Sequence, residues 1–380
     1  METISLIPET TLDWIIASIA ATAFLVQLVY YLVVMTKVSR PEINTPLHHC
    51  PPVTVIVCAK NESAKLQKYL PKILDQDYPN FEVVVVNDSS TDDSDMVLAH
   101  LKIQYPNLYY TTIPVDRRFS HSKKLAVSIG IKAAKNEHLL LTDADCIPAS
   151  NQWIRLMMGG FVEKGKELVI GYSPYIRQKG MFNRLVRYET FWNGVQYLGF
   201  ALMGKAYMGV GRNMAYTKAL FERNHGFSRH VYLASGDDDL FVNDAATPVN
   251  TAVVIAPESQ TLSDSVTHFG DWIIQKSRHL TTAPLYRWRF KFLLSVEPFS
   301  RQVVWLVALY SIIFNTFAAV GAGLLLLKLL IQLIVLALAA KKLGERKIYF
   351  ASLLFDFYIP FILGYIYVRN VFRPKQVKWK

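Results

Sequence analysis

Four groups of residues in this sequence have the types and spacing to do chemistry. Asp88 ends an apolar run, FEVVVVND, at residues 81–88. Asp143 and Asp145 end another, in LLLTDADC. Two carboxylates one residue apart at the end of an extended strand face the same side. Hard oxygen ligands so arranged suit Mg²⁺ or Mn²⁺, which keep several waters and bind substrate phosphates. Asp237, Asp238 and Asp239 are consecutive in SGDDDLF. Three adjacent carboxylates repel one another and raise the pKa of at least one, a property useful to a general base. Gln275 and Arg278 in QKSRH lie three apart and share one helix face, and arginine forms paired hydrogen bonds with phosphate oxygens.

Each group also has a plainer reading. Asp88, Ser89 and Ser90 fit a helix cap, and acids at a helix start oppose its dipole favourably. A second D-x-D, Asp93-Ser94-Asp95, has no buried strand before it, and Gln-x-x-Arg pairs are common on surfaces. Gly209-Val210-Gly211 lacks the third glycine of a dinucleotide-binding loop. It reads as a strand and tight turn, with Arg212 beside it as a further phosphate contact.

The elements that must position these groups are short apolar runs at 53–58, 81–86 and 138–141, without strict alternation. That is the pattern of strands buried on both faces of a mostly parallel sheet. Helix-like stretches near 62–74, 92–104 and 121–134 lie between them, so the predicted class is α/β, a Rossmann-like sandwich. Ligands in such sheets gather at the carboxyl ends of strands, where this chain puts its acids.

In order, these elements resemble family 2 glycosyltransferases, in the membrane-integrated branch that includes cellulose, chitin and hyaluronan synthases. The resemblance covers about residues 52–283. It rests on the opening unit from VTVIVCAKNES to VVVVNDSSTD, the lysine-bearing SHSKKLAVSIGI, then TDADC, GDDDL and QKSRH. It implies a GT-A fold, a nucleotide-diphosphate-sugar donor, Mg²⁺ or Mn²⁺, and inversion at the anomeric carbon. Carried over residue by residue, Glu62, Asp88, Lys123 and Asp143 are donor-binding. Asp145, with Asp143, holds the metal, and Asp238 is the catalytic base. Asp237, Gln275, Arg278 and His279 face the acceptor and diphosphate. His279 stands where the family has a tryptophan platform under the acceptor sugar, so processive synthesis is not implied.

Of the 380 residues, 52% are hydrophobic, more than an ordinary soluble enzyme carries. Residues 14–35 are uncharged and long enough to cross a bilayer core of roughly 30 Å. Glu2, Glu9 and Asp13 precede them, and Lys37 and Arg40 follow, which places the middle of the chain in the cytoplasm. Residues 302–340, with Lys328 as their single charge, read as a helical hairpin. Residues 348–368 read as a third segment interrupted by Asp356 and Pro360. Residues 285–301 alternate cations with aromatics and read as an amphipathic strand or an interfacial stretch.

The expected organisation is therefore an anchor at 1–48, a GT-A domain at 49–284, the interfacial segment at 285–301, and a membrane region with a basic tail at 302–380. The net charge of +11 suits anionic lipids and phosphate-bearing substrates. No nucleic-acid-binding signature accompanies it, so nucleic acid is not an expected partner. Cys50, Cys58 and Cys146 form no metal-ligand or disulfide pattern. The expected protein is an integral enzyme of a bacterial inner membrane or its equivalent. It moves a sugar from a nucleotide-diphosphate donor to a lipid, lipid-linked or glycan acceptor. Membrane lipids, and a membrane partner or second copy, are its other expected contacts. A processive synthase and a non-catalytic scaffold are the alternatives.

Overall fold

A computed structural model describes residues 7–40, 50–114, 122–233, 235–314 and 316–372. The chain starts with β1 (Val53–Ala59), α2 (Ser63–Leu74), β2 (Phe81–Asp88), α3 (Ser94–Gln104) and β3 (Leu108–Ile113), after an N-terminal helix α1 (Thr11–Val29). Then come α4 (Lys123–Ala133), β4 (His138–Asp143), β5 (Cys146–Pro148), α5 (Trp153–Gly159), β6 (Leu168–Ile170) and the long α6 (Met181–Leu202). β7 (Met214–Thr217), α7 (Lys218–Arg223), α8 (Asp239–Ala245), β8 (Thr251–Val253), β9 (Thr261–Ser263) and α9 (Phe269–His279) complete the domain.

Seven strands form one sheet in the order β3-β2-β1-β4-β7-β6-β8. β1 to β4 run parallel, and β7 is antiparallel to both β4 and β6. The lack of alternation in β1 and β2 has a direct cause. Val53, Val55 and Val57, with Val83 and Val85, pack under α2, α3 and α5. Ile56, Val84 and Val86 pack under α4 and α6. Both faces are covered, so each strand position is worth about 1.5–3 kcal/mol of burial whichever way it points. The sheet places Asp88 and Asp143 as the last residues of β2 and β4. β5 and β9 form a separate small ladder next to that rim.

Four helices are long and apolar enough to cross a membrane: residues Thr11–Ser39, Trp288–Ile313 (α10), Ala318–Lys342 (α11) and Ile348–Phe372, which includes α12 (Ser352–Phe372). α1 begins with a reciprocal cap between Thr10 and Asp13. It continues through a π turn at Tyr30–Val34 and a 3-10 turn at Met35–Ser39. That end docks on α6, where Gly199 has no room for a side chain: a Cβ would meet the Val34 carbonyl oxygen at 2.6 Å.

The charges inside this bundle are matched. Asp356 of α12 pairs with Lys328 of α11 and, at 3.1 Å, with Arg301 of α10. Arg301 also pairs with Glu297 at 3.1 Å, and Trp305 Nε1 donates to Asp356.

Three details differ from the sequence-based expectation. The boundary expected at residue 302 falls inside α10, so the cation–aromatic alternation at 288–292 is helical and not extended. Gly321 and Gly323 stand near the middle of the expected hairpin, but its turn comes earlier, between Ile313 and Ala318, and both glycines sit inside α11. α12 runs through both Asp356 and Pro360, because Asp356 is neutralised by neighbours that the sequence does not reveal. Glu2 and the tail residues Arg373, Lys375, Lys378 and Lys380 lie outside the described residues.

Candidate active site

The carboxyl rim of the sheet opens into a cavity of about 1310 Å³. Glu62, Lys123, Asp143, Asp145, Asp237, Asp238, Gln275, Arg278 and His279, all expected at the site from sequence, line it. Asp88 is the exception. It is fully buried, 3.8 Å from the Nζ of Lys60, which does line the cavity, and is not itself among the described residues that line it.

Lys123, the first residue of α4, holds the centre. Its ammonium lies 2.7 Å from Asp143 Oδ1 and 3.3 Å from Asp237 Oδ2. Burial disfavours its charge, but Asp143, Asp237 and Asp238 outweigh burial and hold its pKa well above the ordinary lysine value. One cation therefore ties the D-x-D turn to the triple-aspartate segment. On the other side, Lys65 of α2 pairs with Glu62 at 2.8 Å and reaches Asp145 at 4.0 Å.

Asp145 is not on a strand end. It lies in the tight turn Ala144-Asp145 between β4 and β5, so the turn and not strand alternation brings it to the side of Asp143. Among the described residues, no set of three His, Cys, Asp or Glu side chains converges to hold a metal. The two carboxylates fit a divalent ion that completes its shell with substrate oxygens and water.

The three consecutive aspartates have separate jobs. Asp237 pairs with Lys123. Asp239, the first residue of α8, accepts from Thr282 Oγ1 at 2.5 Å and Tyr286 OH at 2.8 Å, and so pins α8 to the segment after α9. Asp238 caps α8 through its Oδ1 and accepts the Gly211 backbone N–H on Oδ2 at 2.8 Å. Burial, then Asp237 and Asp239, push the Asp238 pKa up to about 7, against the pull of Lys123 and the Gly211 N–H. A carboxyl that titrates near neutrality beside a cavity is matched to proton transfer.

Gly211 is thus part of the site and more than a turn residue. A Cβ there would lie 3.1 Å from Lys123 Nζ and 3.5 Å from the Asp238 Cβ. Arg212 is held by Ser263 Oγ at 2.5 Å and the Ser173 carbonyl at 3.0 Å, and stacks on Tyr175. Gln275 donates to Tyr175 OH at 3.2 Å. Arg278 faces the cavity and has no carboxylate within 4 Å among the described residues. His279 presents its ring to the cavity. The ring keeps solvent access; desolvation by the surrounding atoms, then the charges of Lys276, Arg278, Arg212 and Lys123, lower its pKa below the ordinary histidine value, so the ring is neutral.

A family model described as glycosyl transferase family 2 matches residues 54–224. The chain carries a family 2 glycosyltransferase domain.

An uncharacterized glycosyltransferase of Haemophilus influenzae is 29% identical to it over 32% of this chain and 36% of the relative. The poly-beta-1,6-N-acetyl-D-glucosamine synthase of Staphylococcus epidermidis is 26% identical over 33% of this chain and 29% of the relative. The beta-monoglucosyldiacylglycerol synthase of a Synechocystis species is 36% identical over 26% of this chain and 19% of the relative. The chain therefore spans less than half the length of the curated relatives it matches. Among solved structures, the mannosyltransferase PcManGT from Pyrobaculum calidifontis, in complex with GDP-Man and Mn²⁺, superposes with a TM-score of 0.62. It is 21% identical and covers 96% of this chain and 100% of its own. That likeness shows the fold, which is GT-A.

Several residues of the glycosyltransferase domain's site were not found from sequence. Lys65 had a legible signal, since it lies three residues after Glu62 on one helix face. Tyr175 and Glu189 had none, because they come from an irregular segment and from the middle of α6.

Proposed function

We propose that the protein is an inverting glycosyltransferase. It moves a sugar from a nucleotide-diphosphate donor to an acceptor hydroxyl at the cytoplasmic face of a membrane. The observation that carries this reading is the meeting of Asp143, Asp145, Asp238 and Arg278 in one cavity.

Glu62, Lys123 and Asp143 bind and orient the donor, with Asp88 completing the donor-binding set beside Lys60. Asp143 and Asp145 hold Mg²⁺ or Mn²⁺, which supplies charge neutralisation to the diphosphate when bound. Asp238 accepts the proton of the acceptor hydroxyl as its oxygen bonds to the anomeric carbon. The bond from that carbon to the diphosphate breaks, and its electron pair leaves with the diphosphate. Arg278 and Gln275 lie on the diphosphate and acceptor side, and Asp237 keeps Lys123 in place. Arg278, unpaired by any described carboxylate, stabilises the charge that gathers on the leaving group. Neutral His279 offers a weak stacking surface for the acceptor.

Membrane integration is supported by the four apolar helices. The cytoplasmic face is supported by Lys37, Arg40, Lys341, Lys342, Arg346 and Lys347, which flank α1 and α11. A test is release of nucleoside diphosphate from a panel of UDP- and GDP-sugars by the membrane-reconstituted protein, with Mg²⁺ or Mn²⁺. Metal-dependent release that D238N abolishes is expected. Absence of release from every donor would sink the reading and favour a non-catalytic scaffold. Long polymeric products would favour a processive synthase.

A further inference from the structure

The cavity that holds the aspartate cluster does not end at the domain. The same space is lined further on by Pro298 and Phe299 of α10 and by Pro360, Phe361 and Gly364 of α12. Phe299 is 73% exposed and Phe361 47% exposed, so the far end opens on the outer surface of helices long and apolar enough to cross a membrane. Gly364 leaves a gap there: a Cβ on it would have no atom within 4 Å. A volume of about 1310 Å³ is also larger than the roughly 300–1,000 Å³ of ordinary ligand pockets, which leaves space for a second substrate beside the donor.

We propose that this passage admits the acceptor sideways from the bilayer, and that the acceptor is a membrane lipid whose headgroup ends in a free hydroxyl. The inference rests on the glycosyltransferase reading above and names its substrate class.

Two observations choose an apolar chain with an uncharged end over a soluble glycan or a lipid phosphate. The mouth is formed by aromatic and aliphatic side chains of two apolar helices, which suits acyl or prenyl chains. The cations that line the cavity are already engaged: Arg278 by the donor diphosphate in the reading above, Arg212 by Ser263 and the Ser173 carbonyl, and the others by carboxylates or a carbonyl. Lys276 is paired with Glu189, and Arg301 with Glu297. Lys291 is exposed and donates to the Pro284 carbonyl at 3.3 Å. The inner end meets Asp238, the proton acceptor of the reading above, which a hydroxyl requires and an already ionised phosphate does not. The bond formed is a glycoside: the lipid oxygen bonds to the anomeric carbon, its proton passes to Asp238, and the nucleoside diphosphate leaves with the bonding electrons.

The experiment uses the full chain in vesicles of lipids extracted from its host membrane, with radiolabelled UDP- and GDP-sugars and Mn²⁺. Label is expected in the organic phase, in a product stable to mild acid. G364W, which plugs the mouth, should lower that label at least tenfold while slow release of sugar to water stays unchanged. G323W places the same bulk on α11, away from the cavity and with open space around it, and should leave both activities unchanged.

Label in a mild-acid-labile glycosyl phosphate, label confined to water-soluble products, or G364W acting no more strongly than G323W would each overturn the inference. Those outcomes differ from failure of the glycosyltransferase reading itself, in which the wild-type protein would consume no donor at all.

Discussion

Lys123 Nζ stands 2.7 Å from Asp143 Oδ1, and this ion pair joins the turn after β4 to the rest of the acidic cluster. Removing the cation leaves Asp143 and Asp237 facing each other without compensation. K123M is expected to destabilise the protein by about 3 kcal/mol, the usual cost of breaking a largely buried pair. Thermal unfolding should show this as a lower midpoint. Added Mn²⁺ with nucleoside diphosphate should recover part of the loss, because a divalent ion restores positive charge between the carboxylates.

Asp238 titrates near 7, so its proton must be lost before it can act as a base. The first-order rate at low substrate should rise with pH up to about 7 and level off above it. D238N should lower turnover by about 10²–10⁴-fold with donor affinity retained, measured by titration calorimetry. Stability moves the other way. The unfolded chain releases this proton near 3.8 and the folded protein near 7, so folding is penalised progressively as pH rises across that window. D238N lacks the penalty, and its melting temperature relative to the parent should climb over the same interval.

G211A keeps the N–H that bonds Asp238 but puts a methyl 3.1 Å from Lys123 Nζ. Displacement of the lysine and the base by a fraction of an ångström should reduce turnover on the order of tenfold to a hundredfold. The stability change should be much smaller than for K123M. Comparison of melting curves with steady-state rates separates the two effects.

Arg278 contacts no described carboxylate, so its loss costs the fold little. R278A should leave the melting temperature nearly unchanged and reduce turnover by about 10²-fold. R278K should recover only part of the rate, because an ammonium cannot make the paired hydrogen bonds of a guanidinium. An equal fall in stability and activity for R278A would show that the side chain serves the fold instead.

In the membrane bundle, D356L strands Lys328 and leaves Arg301 with Glu297 alone. Low yield and early unfolding in detergent are expected for this single variant. The double variant D356L/K328L removes one charge of each sign and keeps the Arg301–Glu297 pair. It should recover most of the lost stability, read by fluorescence-detected size exclusion.

The sequence made the parallel half of the sheet legible because β1, β2 and β4 are covered on both faces, and continuous Val, Ile and Leu runs are the direct mark of that. Their carboxyl ends located Asp143 correctly. They did not reveal that Asp88 is fully buried beside Lys60, since strand position alone does not say how much of a carboxylate its neighbours cover. The triple aspartate was legible as a cluster, but its division of labour depends on Thr282, Tyr286 and Gly211, which are distant in sequence from at least one partner. β6 and β8 are three residues long, too short for any periodic signal. α6 escaped notice because it is buried nearly all round, from Val186 to Ala201, which erases the amphipathic pattern of a surface helix. Residue 302 looks like a boundary because the charges stop at Arg301 and Lys328 is the single one in 302–340, yet a lateral ion pair between Arg301 and Glu297 lets α10 carry its charges into the apolar stretch.

The docking of Val34 against Gly199 has a bearing on how the molecule works as a whole. The N-terminal helix is no leash from which a freely tumbling enzyme hangs; it is seated in the catalytic body at van der Waals contact. In the membrane-integrated reading proposed above, the tilt of the sheet against the bilayer plane is then set once, at folding, and the aspartate rim keeps a constant height above the lipid. Cutting the chain after residue 39 would uncover the apolar seat on α6 and give an insoluble product where a simple tether would have yielded a soluble one.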